Sequence, residues 1–185
     1  MNKEAPALCA LVGMPGAGKS EAAIFFKSKG FSVLRFGDQV DIGLKERGQQ
    51  RTEVNERAYR EELRRQLGMA AMAIKIEPRI AQTTQQNPRI VLDGLYSWSE
   101  YKYLKQRFPQ LIIICIFASP KTRYERLEKR LVRPLNYEIA QSRDYAEIEN
   151  IEKGGPIAMA DFIIINEASI AELTQQLEQL FNKLL

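Results

Sequence analysis

The chain has 185 residues, 45% hydrophobic and 27% charged, with 27 basic against 23 acidic side chains and a net charge of +4. That balance describes one globular domain with a sizeable core, and so mild a basic excess suits polyanionic small molecules without calling for nucleic acid. Histidine is absent and the two cysteines, Cys9 and Cys115, lie in apolar runs, so zinc sites and histidine triads are not expected. Proton transfer falls to carboxylates, and a reducing, cytoplasmic compartment fits better than a disulfide framework.

Residues 7–12 form an apolar run that reads as a buried strand, and helix formers follow from 19 to about 29. Between them Gly13-Met14-Pro15-Gly16-Ala17-Gly18-Lys19-Ser20 fits the phosphate-binding pattern G-x-x-x-x-G-K-[ST] with the required strand before and helix after. Glycines allow positive φ and close approach to an anion, and the amides of the loop and of the first helical turn, which opens at Glu21, point at phosphate. Lys19 would reach the β and γ phosphates and Ser20 would ligate Mg²⁺. Early in the chain, Glu4, Pro6 and the break at Gly13 argue against a signal peptide.

Gly30 stops the first helix, 31–36 reads as strand two, and Gly37-Asp38 follows at its C-terminal end. A short helix to Gly48 comes next. Thr52 caps a helix with Val54, Ala58, Leu63, Leu67, Ala70 and Ile74 on one face, kinked or ended by Pro78. Residues 89–93 are strand three, ending on Asp93. Ser97-x-x-Glu100 is a capping box, and 111–118 is a fourth, fully apolar strand, too short to cross a membrane.

Ser119-Pro120 opens a helix carrying Arg123, Arg126, Arg130 and Arg133. Residues 134–142 read as a polar, irregular lid. A helix over 143–153 ends at Gly154-Gly155-Pro156, 162–165 is the last strand, and Ser169-x-x-Glu172 caps a final amphipathic helix. Strands alternating with helices predict an α/β fold, a parallel sheet covered on both faces, with ligands beyond the C-terminal strand ends. The loop at 13–20, Asp38 and Asp93 all fall at such ends.

Each candidate has a structural alternative. Asp93 would hold Mg²⁺ with Ser20, or simply end its strand. Asp38 would take the proton of an acceptor hydroxyl, or cap the next helix. Arg57, Arg60 and Arg64 would read an acceptor phosphate, or pair with Glu53, Glu56 and Glu61. Arg133 and Arg143 would close over the transferring phosphate, and Arg143 has Glu147 as a helical partner.

These features together resemble the P-loop nucleoside monophosphate kinase group. Within it the chain is most similar to dephospho-CoA kinases and to a related family named after adenylate and dephospho-CoA kinases. The likeness is carried by 13–20, Phe36-Gly37-Asp38, Leu92-Asp93-Gly94, Arg123-x-x-Arg126-Leu127-x-x-Arg130, Arg143-Asp144-x-x-Glu147 and 158–166. It implies a five-stranded parallel sheet of order 2-3-1-4-5, a small lid, and ATP with Mg²⁺ as donor to a nucleotide-like acceptor. Lys19 and Ser20 then serve the phosphates and metal, Asp38 the acceptor, and Arg133 and Arg143 the lid. Dephospho-CoA kinases show Asp-x-Asp after strand two, where this chain has Gly37-Asp38-Gln39. A nucleoside monophosphate acceptor and a regulatory NTPase acting on a protein partner are the alternatives.

Overall fold

The computed structural model describes residues 7–184; the signal-peptide reading of Glu4 and Pro6 lies outside them. The elements run β1 (Ala7–Val12), α1 (Lys19–Ser28), β2 (Ser32–Arg35), α2 (Asp38–Glu46), α3 (Glu53–Leu67), α4 (Ala71–Gln86) and β3 (Arg89–Asp93). Then come α5 (Trp98–Arg107), β4 (Ile112–Phe117), α6 (Pro120–Glu128), α7 (Tyr137–Ile151), α8 (Gly154–Ala158), β5 (Phe162–Ile165) and α9 (Ile170–Leu184). The strands form one parallel sheet in the order β2-β3-β1-β4-β5, as expected.

β1 is central and buried at every residue, which a parallel strand covered on both faces requires. On one face α1 and α9 pack Phe25, Phe26, Leu173 and Leu177 onto Leu11, Ile114 and Ile116. On the other, α4 and α5 pack Ile76, Ile80 and Leu104 onto Ala10, Leu92 and Ile113. The register sets Leu11 beside Asp93 and Val12 beside Cys115, so the strand ends carrying the loop and Asp93 are adjacent. Both cysteines are buried free thiols.

Local signals explain most boundaries. α1 ends in a glycine motif in which Gly30 (φ 86°) lets Gly30 N donate to Lys27 O at 3.1 Å and Phe31 N donate to Phe26 O at 3.1 Å. Thr52, Ser97 and Ser119 each accept a backbone N–H as N-caps, and Ser97 with Glu100 completes a capping box.

Four expectations change. The helix from Thr52 is two helices, broken at Gly68 (φ 77°), and Val54 is exposed. Pro78 does not end α4, whose buried Met72, Ala73, Ile76 and Ile80 hold it together across the missing N–H. The segment 134–142 is helical from Tyr137, capped by the Asn136 side chain, and irregular backbone occupies 129–136 instead. Arg130 and Arg133 therefore lie beyond α6, and Arg133 takes a left-handed φ of 52°. α7 stops at Ile151, and Gly154-Gly155-Pro156 begins the short α8 rather than serving as a breaker. Among the described residues no helix is long and apolar enough to cross a membrane.

Candidate active site

The loop between β1 and α1 depends on its glycines. Gly13 (φ 137°) lies so close to β4 that a Cβ there would sit 2.2 Å from Ile116 O. Gly18 (φ 104°) is pressed against Asn166, whose Nδ2 donates to Ala17 O at 2.8 Å. Arg123 fixes the outer limb: Nη1 donates to Pro15 O at 3.1 Å, and Nη2 pairs with Asp144 Oδ2 at 2.6 Å. Arg123 is thus a buried brace, not a mobile cation.

Lys19 Nζ turns back on the loop, donating to Gly13 O at 2.8 Å and Met14 O at 3.1 Å. Burial, and then the neighbouring Lys153 ammonium, push its pKa down to about 7, and Asp93 and Glu147 offset only part of this. A cation held so unfavourably gains most when an anion arrives.

A cleft of about 690 Å³ opens over this loop. Pro15, Gly16, Gly18, Lys19, Ser20 and Glu21 line it, while Gly13, Met14 and Ala17 shape the loop from behind. Asp93 faces the same cleft, and burial raises its pKa although Lys19 and Arg35 pull it down. Ser20 and Asp93 are oxygen donors of the kind a hard divalent cation takes, and such a cation would relieve the buried Asp93 charge. Among the described residues no three His, Cys, Asp or Glu side chains gather as a metal-binding group. Arg126 and Asn166 also line the cleft, and Arg126 Nη1 donates to Asn166 O at 2.9 Å.

A second cavity of about 490 Å³ adjoins the first, and Gly37, Tyr96 and Arg143 line both. Its charged lining is balanced, with Arg51, Arg60, Arg133 and Arg143 against Asp41, Glu53, Glu56 and Glu147. Buried Glu56 gathers three of these arginines: Arg51 at 2.8 Å, Arg60 at 3.7 Å and Arg133 at 3.7 Å. The hydrogen bond from Arg51 holds its carboxyl below the usual range.

Of the residues singled out from sequence, Lys19, Ser20, Asp93 and Arg143 share the first cleft. Arg133 lines only the second cavity. Asp38 begins α2 without capping it, and neither cavity is lined by it. Its carboxylate lies 3.5 Å from Arg79 and 3.8 Å from Arg35, and Arg35 also reaches Asp93 at 3.9 Å. Arg57 pairs with Glu61 on an exposed face, and of Arg57, Arg60 and Arg64 only Arg60 lines either of these two cavities. Arg143 Nε donates to Glu147 Oε1 at 3.0 Å.

Sequence reasoning missed Arg35, Tyr96 and Lys153, all of which line the cleft. Arg35 ends strand two beside the expected ligand zone, a usable signal. Lys153 and Tyr96 carry no local pattern.

A glycine loop joining a central parallel strand to a helix, with its lysine folded onto the loop carbonyls, defines a P-loop protein of the kinase-like α/β fold. The chain belongs to the family described as AAA domain, which matches residues 10–152, and to the UPF0200 family. A UPF0200 protein of Methanocaldococcus jannaschii is 33% identical over 180 residues, covering 96% of this chain and 90% of its own. Among solved structures, TT1252 from Thermus thermophilus superposes with a TM-score of 0.67 at 17% identity, covering 98% of this chain and all of that one. The shikimate kinase of Acinetobacter baumannii, solved with shikimate, gives 0.60 at 16% identity, covering 97% and 95%.

Proposed function

We propose that this chain is an ATP- and Mg²⁺-dependent phosphotransferase acting on a hydroxyl of a nucleotide-like small molecule, in the manner of a dephospho-CoA kinase. The observation carrying this reading is the second cavity, which meets the P-loop cleft at Gly37, Tyr96 and Arg143. A donor in the first and an acceptor in the second would bring γ-phosphate and hydroxyl together at that junction. The acceptor oxygen forms a bond to the γ phosphorus, the bond from that phosphorus to the β–γ bridging oxygen breaks, and ADP leaves with the electron pair.

The acceptor proton goes to a carboxylate, and Asp38 is our assignment: it lines neither cavity as it stands, so it would turn from Arg79 and Arg35 toward the junction beside Gly37, which lines both. Its pairs with Arg79 and Arg35 are long and partly exposed, so releasing it costs little. Lys19 balances charge on the β and γ phosphates. Ser20 and Asp93 would hold magnesium, which when bound draws charge from the phosphate oxygens.

Balanced charge in the acceptor cavity suits the entry of a neutral hydroxyl end, with any phosphates of the acceptor left outside it, better than that of a nucleoside monophosphate, whose dianion would itself have to enter. A regulatory NTPase would need no second cavity. The test is a panel of acceptors, dephospho-CoA, nucleoside monophosphates and small hydroxy acids among them, incubated with γ-labelled ATP or GTP. Labelled product from a hydroxyl acceptor is expected. Label only on nucleoside monophosphates moves the acceptor assignment, and label only on inorganic phosphate overturns the transferase reading.

A further inference from the structure

Lys153 is 1% exposed, yet its side chain lines the P-loop cleft. Its backbone is pinned. Lys153 N donates to Glu147 O at 3.2 Å, and the following turn packs so closely on α5 that a Cβ on Gly155 would lie 2.8 Å from the Trp98 ring. The ammonium donates to Glu147 Oε2 and stands 4.9 Å from the centre of the Tyr96 ring. Glu147 is shared, because Arg143 Nε bonds its other oxygen at 3.0 Å.

One carboxylate thus serves two cations. Glu147 lines the acceptor cavity, Lys153 the donor cleft, and Arg143 both, so the string crosses the junction where transfer would occur. The donor cleft itself is lined by six cationic side chains, Lys19, Arg143 and Lys153 among them, against two carboxylates, Glu21 and Asp93. Burying an ammonium is costly, and a structural lysine would be matched by its own carboxylate. Here the match is incomplete, because Glu147 also serves Arg143. The closeness of the two lysines is felt electrostatically: of all charges acting on Lys19, Lys153 has the largest effect.

We propose that Lys153 is a second phosphate-contacting lysine, meeting the terminal phosphate of the donor together with Lys19. The proposal rests on the phosphotransferase reading. Glu147 keeps the ammonium aimed at the cleft until phosphate arrives, and Tyr96 gives it an aromatic wall rather than water. Lys153 moves no proton in the transfer. It balances charge on oxygens of the γ-phosphate, where Lys19 serves those between β and γ.

Labelling of the wild-type protein tests this directly. An acyl phosphate of ATP, a mixed anhydride with its acyl group on the γ-phosphate, modifies lysine amines in contact with that end: the amine forms an amide with the acyl carbon, the acyl–oxygen bond breaks and ATP leaves, and peptide mass spectrometry locates the modification. Label on both Lys19 and Lys153, blocked by excess ATP, is expected. ATP-protected label on Lys19 alone overturns the proposal and leaves the kinase reading standing. Absence of any ATP-protected label overturns both. As a second readout, binding of ADP and of a non-hydrolysable triphosphate analogue is compared in Lys153→Met and Lys153→Arg. Loss of one charge-assisted contact should lower the preference for the triphosphate by about tenfold or more in the methionine variant. The arginine variant should keep most of it. A purely structural lysine would lower the melting temperature of Lys153→Met and leave the preference unchanged.

Discussion

Arg123 Nη2 lies 2.6 Å from Asp144 Oδ2, with both side chains buried, and the same guanidinium holds the carbonyls of Pro15 and Ala118. Tyr124 adds a hydrogen bond to Asp144 Oδ2 at 2.9 Å. One ion pair therefore ties α6 and α7 to the P-loop. Asp144→Ala strands a buried cation and should cost about 3–5 kcal/mol, whereas Arg123→Met combined with Asp144→Leu should recover much of the loss. Urea unfolding measures both, and a single-variant loss below about 1 kcal/mol would remove the pair as the brace.

The loop glycines should differ in their sensitivity. A Cβ on Gly13 meets the backbone of Ile116 at 2.2 Å, which cannot yield without distorting β4. A Cβ on Gly18 meets the Asn166 amide at 2.3 Å, a side chain able to swing away at the loss of its bond to Ala17 O. Gly13→Ala should cost roughly 3 kcal/mol or more and Gly18→Ala about 1–2 kcal/mol. Equal losses in chemical denaturation would contradict this ordering.

Asp38→Asn should lower turnover on the order of 10²–10⁴-fold with triphosphate binding kept, if its carboxylate takes the acceptor proton. Arg79→Met, which removes the partner at 3.5 Å together with a hydrogen bond to the Gln39 side chain and leaves Arg35 beside Asp38, should change turnover little. Parallel kinetics and thermal melts decide: unchanged turnover in Asp38→Asn with a lowered melting point leaves that residue an anchor for α2.

Arg143 borders both cavities and is held by Glu147. Phosphate charge grows on the transferring oxygens, so Arg143→Ala should reduce turnover by roughly 10³-fold while weakening ATP binding much less. The irregular stretch 129–136, where Leu131 is fully exposed, should gain hydrogen-exchange protection when donor and acceptor are both present. Equal exchange with and without ligands, beside normal turnover, would leave only the helical ion pair.

Lys19 gives a pH signature. Its folded pKa of about 7 lies below the ordinary 10.5, so between these values the unfolded chain binds more protons than the folded one. The lysine therefore opposes folding fully below pH 7, and that opposition fades as pH rises toward about 10.5. Lys153, also lowered by burial despite Glu147, acts with the same sign. Phosphate charge should restore the Lys19 proton, so ADP binding at pH 8 should take up protons. Calorimetry in two buffers of different ionisation enthalpy measures this. Lys19→Met should abolish the uptake and keep or raise the melting temperature at neutral pH.

The P-loop, the alternation of strand and helix, and the caps at Thr52, Ser97 and Ser119 were legible in the sequence because each is a local rule: glycine torsions, apolar runs, and side chains that satisfy free amides. The strand order was expected from family resemblance, and the β-ladder pairs realise it. What the tertiary structure alone decided is which charges meet. Arg123 and Arg143 look alike on their helices, yet one is buried against Asp144 and the other lines both cavities. Asp38 turned to Arg79, 41 residues away, and Arg133 to Glu56, because ion pairs form between groups the fold brings close and no local pattern encodes that distance. Lys153 shows this most plainly: nothing in Lys-Gly-Gly-Pro marks it, and only the packing of α7, α8 and Trp98 sets its ammonium on Glu147 at the wall of the P-loop cleft.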